Sequence, residues 1–408
     1  MQLTRAGAVA ALVAMTAAVS LARTAAAQDA PTPTSRTEAL EQAKATKGTA
    51  LVEYTPGRVE AALDRAEDVL LTGRLHVHPF FTSAYSGGGF TLGGGYITYV
   101  GSYNTLDTRG SITFTGYKRI ESEFIAPRLF NRRGRLSLLG GWREATQVGF
   151  YGLGTANTSS DDRTNYKFSQ PYADVTLQVR PTRRYFVVTG ELEGSQWTQK
   201  GGGGSEPSVD EVYTPETLPG LGASPTYLHS RATVAFDSRP GAGYARRGGF
   251  YGVTVHDFHD TDEAFGFNQV DYEAIQHIPL LRETWVLSLH GLVQTANAKS
   301  GETIPFFMLP ALGGGSSLRG YASWRFRDRN SVLLQAEWRV MANRFFDTAL
   351  FFDAGKVTDK RSDLDLRHLK DDYGIGFRLH GPIATPVRIE LAKGNEGLSL
   401  VFAASAAF

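Results

Sequence analysis

The chain contains no cysteine. That excludes disulfide staples, iron–sulfur clusters and thiolate zinc sites. It also lacks a surplus of charge of either sign, because the 408 residues carry a formal net charge of +1. A protein that binds nucleic acid by neutralising phosphates needs a cationic excess, so nucleic acid is not an expected partner. Long apolar runs are scarce. Mean hydropathy is −0.22, and after residue 22 no run reaches the roughly 20 apolar residues of a membrane-crossing helix. Glycine (45), phenylalanine (24) and tyrosine (17) are plentiful. That mixture without sustained hydrophobicity points to β structure. The length suits two or three ordinary domains or one large barrel.

The first 27 residues read as an address. Arg5 is followed by the Ala-rich apolar stretch Ala6 to Ala22, and Ala25-Ala26-Ala27 offers a small-residue cleavage site before Gln28. Residues 1–27 are therefore expected to be a cleaved signal peptide, and the chain to be exported across the inner membrane of a bacterium with two membranes. Residues 28–55, poor in large apolar side chains, are expected to be a flexible linker. Residues 56–73 are expected to form an amphipathic helix. Thr55 can cap it, Pro56 suits its first position, Val59, Leu63, Ala66 and Leu70 share a face, and Gly73 can end it. Such a helix can pack on the periphery of the next domain or plug a pore.

From 74 to 408 the texture changes. Sixteen segments of about ten residues, the first at 75–85 and the last at 398–408, alternate in character between turn residues, and each is long enough to cross a bilayer as a tilted strand. In 330–342, Leu334, Ala336, Trp338 and Val340 alternate with Gln335, Glu337 and Arg339. In the last segment, Leu398, Leu400, Phe402, Ala404, Ala406 and Phe408 share one face. Alternation alone also suits a soluble sandwich. Connection length separates the two, since the long connections 147–164, 199–225, 297–329 and 358–369 all follow odd-numbered strands. Long loops at one end and short turns at the other are the mark of an outer-membrane barrel. The expected fold is all-β, an antiparallel transmembrane β-barrel of about sixteen strands with a short N-terminal α-helix.

The longest loop carries Gly313-Gly314-Gly315-Ser316-Ser317-Leu318-Arg319-Gly320-Tyr321, and two strands follow with Gln335-Ala336-Glu337-Trp338-Arg339 and Phe351-Phe352-Asp353-Ala354-Gly355. Upstream stand Tyr151-Gly152-Leu153-Gly154 and Asp237-Ser238-Arg239-Pro240. In this order these segments resemble the BamA/TamA-like bacterial surface antigen family, the outer-membrane assembly and two-partner secretion barrels. The tetrad Leu318-Arg319-Gly320-Tyr321 is similar to the family's V-R-G-F/Y with Leu for Val, and Phe351, Asp353 and Gly355 are similar to its F-x-D-x-G. The resemblance implies a loop (Gly314, Gly315, Leu318, Arg319, Gly320, Tyr321) folded back into the lumen to meet Glu337 and Asp353. The residue chemistry agrees. Glu337 and Asp353 lie on lumen-facing parities, and an arginine fork can bond two carboxylates. The alternative is a solvated Arg319 above an ordinarily polar lumen.

The resemblance also implies insertion or translocation of proteins, or of lipids, at the outer membrane. Expected partners are outer-membrane lipids, and either nascent outer-membrane proteins or a separate periplasmic partner. Residues 28–74 are too few for one of the family's periplasmic POTRA domains, so a barrel-only member is expected. The seam between first and last strands would hold Pro79, Phe402 and Phe408. Proline has no donor for a ladder and belongs at an edge, or is simply tolerated at the barrel rim.

Two other functions fit the sequence less well. A passive channel gated by the 56–73 helix is the second reading. A hydrolase is the third, resting on His256 and Asp260 in His256-Asp257-Phe258-His259-Asp260. No nucleophile elbow, P-loop or zinc-protease motif occurs, so no catalytic residue, metal or cofactor is expected.

Overall fold

A computed structural model describes residues 76–408 except 156–158, 183–184 and 382–383, together with 35–37, 40, 41 and 44. The expected signal peptide (1–27) and amphipathic helix (56–73) lie outside the described residues. Within the expected linker, Arg36, Thr37, Leu40, Glu41 and Lys44 are helical and exposed. All the strands belong to the compact unit that ends at Phe408.

The strands are β1 (Val77–Pro79), β2 (Thr91–Val100), β3 (Asn104–Thr113), β4 (Lys118–Arg128), β5 (Gly134–Phe150), β6 (Thr164–Val179), β7 (Phe186–Gln196), β8 (Thr198–Gly201), β9 (Thr226–Asp237) and β10 (Gly248–Asp260). They continue as β11 (Phe267–Leu280), β12 (Trp285–Ala298), β13 (Ala311–Leu312), β14 (Phe326–Arg327), β15 (Asn330–Met341), β16 (Phe346–Thr358), β17 (Lys370–Leu379), β18 (Val387–Gly394) and β19 (Gly397–Ala403). Each barrel strand pairs antiparallel with the next in sequence. The short β8 prolongs β7 along β6, and β13 and β14 form a hairpin inside the loop between β12 and β15. Leaving those three aside, the wall has sixteen strands, matching the expected all-β antiparallel barrel. Among the described residues β1 pairs with β2 and β19 with β18, and no register joins β19 to β1 or β2.

The outside of this wall is apolar and the inside polar, the reverse of a soluble sandwich. On β15, Leu334 and Trp338 are exposed while Gln335, Glu337 and Arg339 are buried. The same inversion recurs on β16, where Leu350 and Phe352 are exposed and Asp353 is not. Alternating side chains on a pleated strand produce it directly. No described helix is long and apolar enough to cross a membrane. Under the long loops lies an aromatic core that includes Phe150, Tyr166, Phe168, Trp197, Phe306 and Phe307.

Both ends of the wall depart from expectation. The first strand is cut to Val77–Pro79: one more ladder bond follows, from Phe80 N to Gly93 O at 3.0 Å, and the chain then turns over before β2, with Gly87 and Gly89 at φ +93° and +74°. The last strand stops at Ala403 rather than running to Phe408. The chain then turns inward, and the Phe408 ring stacks with His290 at 5.1 Å between centroids.

Candidate functional site: an arginine latch inside the barrel

The loop between β12 and β15 runs from 299 to 329 and enters the lumen. Its backbone needs glycine to do so. Gly313 and Gly314 have φ of +116° and +94°, and a Cβ on Gly313 would collide with Ala322 O. The Gly314 amide donates to the carbonyls of Leu318 (3.0 Å) and Tyr321 (3.1 Å), closing the turn that presents Arg319. Leu318 and Tyr321 anchor the loop in a small apolar cluster with Leu312, Phe326, Leu333 and Val357. A Cβ on Gly320 would lie 2.5 Å from Asp372 Cβ and 2.7 Å from Gly394 N, so the tetrad's glycine is where the loop touches the wall.

Arg319 is fully buried. Its Nε and Nη2 donate to Asp353 Oδ2 and Oδ1, both at 2.7 Å. Its Nη1 donates to Glu390 Oε1 (2.9 Å) and Glu337 Oε2 (3.2 Å). The guanidinium carbon lies 3.5 Å from the centroid of the Phe351 ring. A planar fork suits this arrangement, with a bidentate carboxylate on one edge and an aromatic face beneath. The F-x-D-x-G motif is thereby accounted for physically. Phe351 is the platform, Asp353 the acceptor, and Gly355 leaves room for Leu312, which a Cβ there would meet at 2.9 Å.

The structure brings together the residues expected to meet, Arg319, Glu337 and Asp353, and adds others. Arg378 on β17 donates to both oxygens of Glu337 and, at 3.1 Å, to Glu390 Oε1. Arg388 on β18 bridges Glu390 Oε2 (2.9 Å) and the carbonyl of Gly315 (2.8 Å). Gln335 donates to Ser317 O and Asp353 Oδ1. A signal for these was visible: Arg388 and Glu390 alternate with Val387, Ile389 and Leu391, and Asp372 and Arg378 with Tyr373, Ile375 and Phe377. One of the upstream motifs reaches this loop, and the other pairs with itself. Gly154 N donates to Arg327 O at 2.8 Å, and the Tyr151 ring lies under Arg325. Arg239 folds back on Asp237.

Other expectations part from the structure. His256 and Asp260 form no pair. His256 faces His229 (3.1 Å) and Asp271 (3.5 Å), while Asp260 Oδ2 accepts from the amides of Ala264 and Phe265 and caps the β10–β11 turn. Phe408 lies against lumen histidines, away from the strand edge it was expected to line. Pro79 stands opposite Gly94 on the edge strand, and Phe402 points outward from β19.

An antiparallel wall with an apolar exterior, a polar interior and a glycine-rich loop latched by arginine to its inner face is the architecture of an outer-membrane β-barrel. Residues 92–397 match the Omp85 superfamily domain, and the chain belongs to that superfamily. Its fold is similar to the structure of BamA from Haemophilus ducreyi lacking POTRA domains 1–3, with a TM-score of 0.59 and 15% identity over 85% of this chain and 78% of that one. It is also similar to CdiB from Escherichia coli, with a TM-score of 0.53 and 11% identity over 80% of this chain and 61% of that one. No curated protein matches it.

Proposed function

We propose that this outer-membrane barrel is a non-enzymatic factor that inserts or translocates proteins, or lipids, at the bacterial outer membrane. The observation that carries this is that one loop touches both sides of the seam from inside. On the β19 side, Gly315 accepts from Arg388, and a Cβ at Gly315 would lie 2.7 Å from Val401 Cγ1. On the β1 side, Trp324 Nε1 donates to Ser86 O at 2.9 Å and its ring stacks on Tyr85 at 4.4 Å. A sheet edge presents unpaired amides and carbonyls and accepts an incoming strand by β-augmentation. A loop that holds both edges can set when that template is available. In this reading the N-terminal 27 residues are removed on export, and Pro79 and Phe402 border the seam. Bilayer lipids and nascent outer-membrane proteins are the material handled, with a separate periplasmic protein delivering it.

The test is depletion of the protein followed by outer-membrane proteomics and a lipid-asymmetry measurement. Loss of a set of barrel proteins or of asymmetry, restored by the wild type and not by Arg319→Ala, supports the reading. An unchanged outer membrane after complete depletion sinks it.

A further inference from the structure

The opposite end of the lumen from the long loops holds a feature that the proposed function does not use. β9 and β10, the eighth and ninth strands of the wall, are joined by residues 238–247. This connection follows an even-numbered wall strand, so it lies with the short turns, at the periplasmic end of an outer-membrane barrel. Antiparallel neighbours can be joined by two residues, and here there are ten. The surplus folds under the wall. Tyr244 and Ala245 are buried, at 7% and 3% exposure. The Tyr244 hydroxyl donates to Asp347 Oδ2 on β16 at 2.6 Å, and its ring stacks on His380, just past β17, at 3.9 Å. Thr385 Oγ1 donates to Gly243 O at 3.0 Å, and Arg339 Nη2 on β15 donates to Ala245 O. These partners stand three to five ladders along the wall from β10, so strand pairing does not bring them to the turn. We propose that residues 239–247 form a strap across the turn end of the lumen, tied through Arg339 to the Arg319 latch, so that lifting the strap loosens the loop. The proposal holds whatever the barrel handles.

Arg339 is the joint. Its Nη2 is committed to Ala245 O and, at 3.0 Å, to Ser288 Oγ. Its Nε is buried without a hydrogen-bond partner, yet lies 3.6 Å from Glu337 Oε1. A buried donor left unbonded is unfavourable, and here an acceptor waits just out of reach. The strap carbonyl holds the guanidinium in that position. When Ala245 leaves, Arg339 is free to close on Glu337.

Glu337 is also an acid of the latch. Its Oε2 accepts from Arg319 Nη1 at 3.2 Å, the longest of the side-chain bonds that Arg319 makes. Arg378 already donates to both oxygens of Glu337. A third cation drawn fully onto this carboxylate weakens its pull on Arg319. The joint thus has two positions, bound to the strap or bound to Glu337, and each end biases the same choice. A shared two-state element of this kind is what couples two sites.

The experiment is limited trypsinolysis of the folded full-length barrel in detergent, with cuts mapped by mass spectrometry and folding checked by the heat-dependent gel shift. Cleavage after Arg246 or Arg247 reports the strap, and cleavage after Arg325 or Arg327 reports the loop. Tyr244→Phe keeps the ring and removes the bond to Asp347. It should speed strap cleavage about tenfold and loop cleavage about threefold, because buried hydrogen bonds set the local opening equilibrium. Thr385→Val, which removes the donor to Gly243 O, should speed strap cleavage likewise. Tyr251→Phe, on the exposed face of β10, should leave both sites as in the wild type. In an Arg339→Gln background, Tyr244→Phe should still open the strap and no longer change the loop. If Arg339→Gln does not fold, Tyr244→Phe alone carries the test. Strap cleavage at the wild-type rate in Tyr244→Phe and Thr385→Val overturns the strap. A faster strap with an unchanged loop in Tyr244→Phe, or an equal loop response with and without Arg339, overturns the tie.

Discussion

Two arginines in this lumen are caged by carboxylates, and their surroundings differ in a telling way. Arg109 on β3 donates to Asp107 and Glu123 at 2.8 and 2.9 Å and to Glu121. Arg319 has its own three acids at 2.7 to 3.2 Å. The partners of Arg109 all lie on β3 and β4, and its side chain keeps 18% exposure. Those of Arg319 come from β15, β16 and β18, the arginine itself arrives on a loop, and its exposure is 0%. The first cage decorates a hairpin that backbone pairing already holds. The second is what fastens a 31-residue connection (299–329) to the wall. The same ion-pair chemistry therefore does different work depending on whether the ladder has already fixed its geometry.

The largest effect should come from Arg319→Ala. It removes the shared cation of Asp353, Glu337 and Glu390 at a fully buried site, which costs about 3–5 kcal/mol when one partner is lost. The urea midpoint of the folded barrel should fall accordingly. Arg325 and Arg327, each 1% exposed in the intact loop, should become trypsin sites. Arg319→Lys keeps the charge and loses the fork, so it should fall between the two. A wild-type midpoint and protease pattern in Arg319→Ala would erase the contrast with Arg109.

Gly320→Ala comes next. Its new methyl would sit 2.5 Å from Asp372 Cβ and 2.7 Å from Gly394 N, and neither neighbour is a flexible side-chain tip. Overpacking of this kind costs about 1–3 kcal/mol. Calorimetry or a urea titration should show the loss with Arg319 still in place, which separates the approach of the loop from its charge.

Arg109→Ala should cost less, about 1–2 kcal/mol, because each of its acids has a second partner. His78 Nε2 remains 2.9 Å from Asp107, Arg119 donates to Glu121 at 2.6 Å, and Ser137 donates to Glu123 at 2.7 Å. A midpoint shift as large as that of Arg319→Ala would show that redundancy does not protect the hairpin.

The sequence was legible wherever one residue type repeats at a spacing of two. Lipid on one side and a polar lumen on the other force Leu334 and Trp338 out and Glu337 and Arg339 in, so the strands could be counted and the acids of the latch assigned a face. Arg319 was found through its glycine-rich loop, whose backbone demands are local. What stayed hidden depends on register between strands. Glu193 and His229 are 36 positions apart and meet only because β7 pairs with β9 in one particular alignment. Asp260 looked chemical beside His256, but its carboxylate is consumed by two backbone amides in a turn. The inward course of Phe408 left no trace in the alternation of Leu398, Leu400 and Phe402, because the pattern simply continues past the point where pairing stops.

The smallest effect, and the one of opposite sign, belongs to Asp372. It lies across the β16–β17 ladder from Asp353, with 0% exposure and neither oxygen hydrogen-bonded to a side chain. The Arg319 fork is already committed to Asp353. A buried carboxylate without a donor is unfavourable, and it faces another carboxylate. Asp372→Asn replaces one oxygen by an amide of the same shape that can donate to Asp353. It should leave the fold and the loop intact and raise the unfolding midpoint by the equivalent of up to about 1 kcal/mol. A loss of stability instead would mean that the charge of Asp372 is part of what holds Arg319, and the latch would then have four acids in place of three.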